Sequence, residues 1–516
     1  MSYLRDLFIS ATLTGVATSS ATSLIAGEAI NKPPLATKPD IVWIFCDELR
    51  TDALGCYGNP NLKLHTPNID RLASMGVRFD NFFCNSPVCV PSRVSFLSGQ
   101  HPEDTGVYSN DATNSSFKLP KGPPLTFPRV FAQNGYKTAN FGKFHVSRDM
   151  EVGATPGYEV FEKNDEKGGR MSFWKKIGEE KLQMIRSTTG TMIGGIHPDD
   201  VPYYPEIVWK NASKWLAGIG DGPFLLRISL LQPHTPVLPP EKFYKLFADQ
   251  TPGEPEKLSP TASAYEKRYA ELYKIENMDK EKLKKSRLCY YAQVAWVDYQ
   301  VGLVMNWLEK KGKLDTSIIV FTADHGANIG DGGSFEKITF APRNHRVPFI
   351  ISWPAKIKGG QVRNDISESL DLARTLFAAA GIEAPKSFRG RDLFSQPAPE
   401  AIFSTFGYGE KVSRLGPEKN FGWYENRGWP RRSCIRTSKY RLDMNMRIDG
   451  APAKDEDKDI FLADIEKDPK ELVNLANDPA YSDLVKKLSE MLEKHAQNAA
   501  YVAPEFLSKD SGKSDY

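Results

Sequence analysis

The sequence predicts an α/β protein: a mostly parallel sheet flanked by helices, followed by a smaller antiparallel sheet. Three observations carry this reading. Short apolar runs of β-formers at 40–46, 137–141, 224–231 and 317–322 alternate with helical patterns up to about residue 379, the order required by a parallel sheet covered on both faces. At 292–310, Val294, Val297, Val301, Val304, Met305 and Leu308 fall on one helical stripe just ahead of the 317 run. Beyond about residue 386 the pattern shortens to strands at 401–405, 433–436, 440–444 and 459–464, closed by a helix at 482–496. The chain therefore divides into a leader and linker (1–37), a principal domain (38–385) and a C-terminal subdomain (386–516).

Composition sets outer bounds. A chain of 516 residues with 40% hydrophobic content can bury a sizeable core. With 67 basic against 64 acidic residues the net charge is only +3, which gives no electrostatic case for nucleic acid but allows a locally basic pocket for an anion. Residues 251–285 are highly charged and helical in pattern, as in a solvated surface excursion. After Arg5, residues 7–29 are apolar and small, with a small-residue cleavage site at 26–29, although Thr, Ser and Gly interrupt the apolar core. This pattern predicts a signal peptide and a periplasmic or secreted protein. No other stretch has the length and purity of a membrane span. The cysteines are Cys46, Cys56, Cys84, Cys89, Cys289 and Cys434; if one is chemically converted, at least one of the other five stays unpaired.

The chemistry-bearing residues gather around strand ends. The first run delivers Asp47-Glu48, the second Gly142-Lys143-Phe144-His145, the third Gln232-Pro233-His234-Thr235-Pro236 and the fourth Asp324-His325-Gly326. Cys89-Val90-Pro91-Ser92-Arg93 opens a helix at a proline, and Phe335-Glu336-Lys337 follows the fourth motif. Ligands of open α/β sheets bind outside the carboxyl ends of the strands, so these loops are expected to converge on one crevice. Singly, Asp47 reads as a helix cap, Lys143 and Lys337 as solvated charges and Cys89 as a buried thiol. Jointly, such readings must explain why a cysteine, four acid or imidazole groups, two further histidines and two lysines all occur in this order.

The run from Cys89 to Arg93, continued by Phe96-Leu97-Ser98-Gly99, resembles the signature of type I sulfatases, members of the alkaline-phosphatase-like superfamily. The resemblance extends from about residue 40 to about 474, where Asp468-Pro469-Lys470-Glu471-Leu472-Val473-Asn474-Leu475 is similar to the family's C-terminal segment. It implies that a formylglycine-generating or anaerobic sulfatase maturation enzyme oxidises Cys89 to Cα-formylglycine (3-oxoalanine). One hydroxyl of the hydrated aldehyde attacks a sulfate ester, and loss of the other hydroxyl's proton releases sulfate. By the same resemblance, Asp47, Asp324 and His325, with Glu48 and the Cys89 position, hold Ca2+. Arg93 supports the nucleophile and the metal carboxylates, and Lys143 and Lys337 neutralise the sulfuryl oxygens. His234, with Lys337, protonates the leaving oxygen, and His145 is the base that frees sulfate.

The chain departs from the family pattern at several points. Asp47-Glu48 stands where Asp-Asp is common, and the extra methylene leaves open whether Glu48 reaches the metal. Residues 329–333 and 343–346 also differ, which makes His345 and Arg346 expected substrate-rim residues. Trp423 and Arg427, in the aromatic and arginine-rich stretch 423–432, fit either sugar stacking with carboxylate contacts or a packed loop. The stretch 99–110 and the Asp324-His325 pair look like the iduronate-2-sulfatase branch, which implies a sulfated polysaccharide or glycosaminoglycan-type oligosaccharide. Alternatives are a choline or aryl sulfatase, a phosphonate monoester or phosphodiester hydrolase, and a non-catalytic glycan-binding protein.

Overall fold

The computed structural model describes residues 38–59, 61–114, 116–152, 157–162, 174–410 and 428–507. The predicted leader, Trp423 and Arg427 lie outside these residues. At the centre stands an eight-stranded sheet. Its strands are β1 (Ile41–Cys46), β2 (Val77–Phe79), β3 (Lys137–Gly142), β4 (Val160–Glu162), β5 (Phe224–Leu230), β6 (Ile318–Ala323), β7 (Phe349–Ser352) and β8 (Gln361–Arg363). They lie in the order β8-β2-β7-β6-β1-β5-β3-β4. Only β7 runs against its neighbours, β2 and β6; the other pairings are parallel.

Every residue of β1, β5 and β6 is buried, as expected of central parallel strands covered on both faces. Register then fixes the functional edge. Cys46 pairs with Leu230 of β5 and Ala323 of β6, so Asp47, Leu231 and Asp324 leave the sheet side by side. Gly142 of β3 pairs with Ser229 of β5, which brings Lys143 to the same rim.

The principal helices are α1 (Pro67–Met75), α2 (Cys89–Ser98), α3 (Ile207–Gly218), α4 (Ala264–Glu271), α5 (Lys280–Lys310), α6 (Asp371–Ala380) and α7 (Ser482–Ala496). One layer joins α1, α3 and α5, while α2 packs with α6. Trp43 and Phe45 of β1 meet Phe96 of α2 at ring-centroid distances of 6.0 and 5.0 Å.

Two readings need correction here. Helix α5 starts at Lys280, well before the apolar stripe, because Asp279 caps it by accepting the Lys282 N–H at 2.9 Å and the charged residues that follow are good helix formers. Nor is 251–285 only a solvated excursion. On α4, Tyr265 and Tyr269 are buried against Trp429 while Lys267 and Glu271 face out; the charged face concealed the buried one.

The antiparallel sheet comprises β9 (Ile402–Phe406), β10 (Arg431–Arg436), β11 (Tyr440–Ile448), β12 (Ala451–Pro452) and β13 (Phe461–Asp464). Leu488 and Leu492 of α7 close a small core over Ile435, Leu442, Met444 and Leu462. The 468–475 segment locks this sheet. Glu471 takes Arg436 through both oxygens at 2.5 and 2.9 Å and Arg441 at 3.0 Å. Asn474 receives the Leu462 N–H at 2.9 Å and donates to Ile460 O at 3.1 Å. All six cysteines are free, and among the described residues no helix is long and apolar enough to cross a membrane.

Candidate active site

Asp47 and Asp324 emerge from adjacent parallel strands and are fully buried. Such a pair needs positive charge, and Arg93 supplies it. Its Nη2 donates to Asp47 Oδ2 and its Nε to Asp324 Oδ2, both at 2.8 Å, while Nη1 reaches Ser229 Oγ at 3.2 Å and Lys143 O at 3.3 Å. Lys143 Nζ adds a second ion pair to Asp47 Oδ2 at 2.6 Å. Burial works against ionisation of Asp47, but Lys143 and Arg93 outweigh it and hold the carboxyl well below its usual range. Burial and the Asp47 charge instead raise Asp324.

The other oxygen of each carboxylate faces a common centre. Asp47 Oδ1 lies 3.8 Å from Cys89 Sγ and 3.9 Å from His325 Nε2. Asp324 Oδ1 lies 3.6 Å from His325 Nε2 and accepts the backbone N–H groups of Glu48 and His325 at 3.2 and 2.9 Å. His325 Nδ1 sits 2.8 Å from Gly326 O. That contact puts a ring proton on Nδ1, while Nε2 faces Cys89 Sγ at 3.2 Å. Burial opposes protonation of the ring, but Asp324 and Cys89 raise it to about 9. Asp47, Cys89, Asp324 and His325 each present one donor atom, all within 4.8 Å of one another. They form a possible metal-binding cluster.

Cys89 begins α2, after Val88 in an extended conformation. The Val90 N–H finds Asn110 Oδ1 at 3.0 Å and the Ser92 hydroxyl donates to Asp324 O at 2.6 Å, so the helix start is tied to the strand end. Arg93 comes one turn later and shares the face of Cys89.

The opposite wall centres on Glu48, whose φ of 62° is left-handed. Tyr290 holds that conformation: its hydroxyl donates to Glu48 O at 2.5 Å and accepts the Arg50 N–H at 3.0 Å. The Glu48 carboxylate receives Lys337 Nζ at 2.5 Å and the Thr235 N–H at 3.1 Å, with His234 Nε2 at 3.4 Å. Asp47, Glu48 and His234 make a second group of donor atoms within 4.8 Å. Thus Glu48 faces Lys337 and His234 rather than joining Asp324 and His325. Burial opposes its ionisation, yet His234 and Lys337 bring it down to about 2.

His234 lies between the cis peptide bonds Gln232–Pro233 and Thr235–Pro236. Its Nδ1 is 2.5 Å from Thr235 O and its Nε2 is 3.2 Å from Lys337 Nζ. Burial lowers His234 to about 3 despite Glu48, so Lys337 carries the proton of this pair at neutral pH. His145 has a left-handed φ of 44°, and its buried Nδ1 has no hydrogen-bond partner among the described residues. Burial, Lys143 and Arg93 keep it far below its usual value and neutral. Beside His234 opens a recess lined by Trp174, Tyr203, Tyr204, Leu231, Leu238 and Gln293.

The structure thus brings together Asp47, Glu48, Cys89, Arg93, Lys143, His234, Asp324, His325 and Lys337. The expected rim residues fare differently. His345 is fully buried between Phe83 and Phe340, with Nε2 2.7 Å from Ser404 Oγ; polar identity misled, because its partner is a distant strand. Arg346 donates to Thr51 Oγ1 at 3.2 Å. Asp331 is buried by Arg50 and Arg287 at 2.5 and 3.3 Å. Ser229, Asn110, Thr235 and Tyr290 act on the site without a local sequence signal; each meets its partner only through the tertiary fold.

The family model described as Sulfatase matches residues 39–382, and one described as N-sulphoglucosamine sulphohydrolase, C-terminal, matches residues 330–498. An ulvan-active sulfatase of Formosa agariphila is 29% identical over 92% of this chain and 83% of its own. Iduronate 2-sulfatase of Mus musculus is 28% identical, but over only 67% of this chain and 69% of its own. A protein solved with its substrate D-glucosamine-2-N,6-O-disulfate superposes with a TM-score of 0.67 at 23% identity, over 90% of this chain and 98% of that one.

Proposed function

The chain belongs to the sulfatase family and is a sulfuric ester hydrolase; from that premise we propose that it desulfates a sulfated carbohydrate through Cys89, matured to formylglycine, beside a calcium ion. The observation that carries this is the Arg93 bridge. It holds the buried Asp47 and Asp324 together beside Cys89, an arrangement whose desolvation cost well-packed apolar residues would avoid. The donor set fits the ion: one oxygen from each of two carboxylates and the His325 Nε2 turn toward one point beside Cys89, and the paired carboxylate oxygens suit a hard cation. Bound there, calcium would polarise sulfate oxygens and the nucleophile, and the formylglycine hydrate would supply an oxygen nucleophile that a thiol cannot.

The remaining steps belong to the chain itself. Lys143, 2.6 Å from Asp47, and Lys337 are placed to neutralise charge on the transferring group. His234 and Lys337, 3.2 Å apart, act as one proton donor to the leaving oxygen, with Lys337 supplying the proton and the imidazole relaying it. Glu48 holds that pair in place. His145, neutral and with an unengaged Nδ1 among the described residues, is the base that frees sulfate. The aromatic recess beside His234 takes the sugar.

The relatives that match most of the chain include an ulvan-active sulfatase and an N-acetylglucosamine-6-O-sulfatase beside an arylsulfatase; the two sugar-directed ones support a polysaccharide-derived oligosaccharide as the substrate. Such substrates are extracellular polymers, so we place the protein in the periplasm or outside the cell, matured by a formylglycine-generating or anaerobic maturation enzyme. The test is sulfate release from a panel of sulfated glycosaminoglycan and algal oligosaccharides, choline sulfate, an aryl sulfate and a phosphate diester. The proposal expects turnover of a sugar sulfate and none by Cys89→Ala. Preference for the phosphate diester, or an active Cys89→Ala, would overturn it.

A further inference from the structure

A second group of ligating side chains lies outside the active site. His101 follows α2, Glu103 is two residues on, and His495 comes from α7; their donor atoms lie within 4.8 Å of one another. Two of these atoms are stranded. Glu103 Oε2 and His495 Nε2 are buried and lack any hydrogen-bond partner among the described residues, although Glu103 is only 5% exposed. A buried carboxylate oxygen in that state has only the longer charge contact with the His495 ring to offset its lost hydration. The gap between the two atoms is 3.6 Å. That is too long for a hydrogen bond, but two ligands each ~2.0–2.1 Å from one zinc ion stand roughly 3.3–3.6 Å apart at tetrahedral to trigonal angles.

The surroundings hold these groups in position. Glu103 Oε1 accepts the Thr405 hydroxyl, which leaves Oε2 to point at the imidazoles. The His495 ring stacks on Phe403 at 4.0 Å and 3°, and His101 stands edge-on to it at 4.7 Å. Fixed ring planes and a hydrogen-bonded carboxylate are how metal ligands are commonly oriented. We propose that His101, Glu103 and His495 bind a zinc-class divalent cation that fastens the C-terminal helix to the loop after α2. Two imidazoles with one carboxylate favour such an ion over calcium, so the two metal centres differ in kind. The site lies at the far end of the helix that begins with Cys89, roughly 15 Å along its axis. It takes no part in the sulfatase chemistry.

The experiment is calorimetric titration of the full, calcium-saturated protein with zinc chloride. One equivalent should bind to the wild type and to Asp324→Ala, and binding should vanish in His495→Ala and Glu103→Gln. Cobalt(II) substitution should give visible bands of a four-coordinate site in the wild type and none in His495→Ala. Turnover of an aryl sulfate by His495→Ala, unchanged from wild type, reports that this variant is folded. Absence of zinc uptake by the wild type, meaning that only water bridges the gap, overturns the proposal. So does undiminished uptake by His495→Ala or by its stacking-preserving counterpart His495→Phe.

Discussion

At the scale of residues, the contacts of Glu48 bear on the proposed division between metal binding and proton delivery. Its carboxylate is committed to Lys337 and the Thr235 amide, whereas Asp47 is shared between Arg93, Lys143 and the common centre. Glu48→Gln should therefore slow turnover of a sugar sulfate while thermal melting still responds to chelation. Asp47→Asn should abolish turnover and that response together. Melting curves with and without chelator check this; loss of the metal response in Glu48→Gln would make Glu48 a ligand. His234→Ala should damage hydrolysis of a sugar sulfate far more than that of an activated aryl sulfate, because a phenolate leaves without a proton. Lys143→Ala should reduce both by similar factors, since it acts on oxygens common to the two substrates. The kcat/KM ratios for the two esters decide. These residues were legible because each comes within a few positions of a strand end. The direction in which Glu48 points was not, since Tyr290, 242 positions away, sets its backbone.

At the scale of elements, the conformation that delivers Lys143 depends on Gly142. Its φ is +95°, and a Cβ there would collide with the Ser229 carbonyl oxygen. Gly142→Ala should cost at least about 1–3 kcal/mol from backbone strain alone, seen as a lowered melting temperature with loss of activity. In the antiparallel sheet, burial would raise the Glu471 carboxyl, but Arg436 and Arg441 keep it below its usual value, and Arg441 and Arg432 do the same for Asp443. Lowered carboxyl values contribute stability that is present above the unfolded range, near pH 4, and is lost as pH falls below it. Melting should thus become steeply acid-sensitive below about pH 4. Glu471→Gln, which strands two buried guanidinium groups, should cost about 3–5 kcal/mol even at pH 7. Chemical denaturation at both pH values tests this. Strands β1, β3, β5 and β6 were readable from short apolar runs of β-formers, and the last helix from its amphipathic pattern, whereas β2, β4, β7 and β8 were not placed. The first turns of α5 and the buried tyrosines of α4 were hidden, because charge on one helical face says little about the other until packing partners such as Trp429 are known.

At the scale of the molecule, parallel register accounts for the site. Aligning Cys46, Leu230 and Ala323 across three central strands places groups far apart in sequence on one edge, and α2 drops Cys89 over them. The sequence order of the motifs foretold that convergence, as it did the mostly parallel sheet with its antiparallel companion. Contacts made across the fold, including the burial of His345 and the meeting of His101 with His495, depend on how the C-terminal sheet and helix settle, which no local pattern encodes. The central claim is that Cys89 is a precursor and not the working nucleophile. Mass spectrometry of the Cys89 peptide from active protein, produced with a formylglycine-generating enzyme, tests it most directly. The account predicts the mass loss of thiol-to-aldehyde conversion, rising in proportion to specific activity across preparations. Full activity in protein whose Cys89 peptide carries only an unmodified thiol would contradict it.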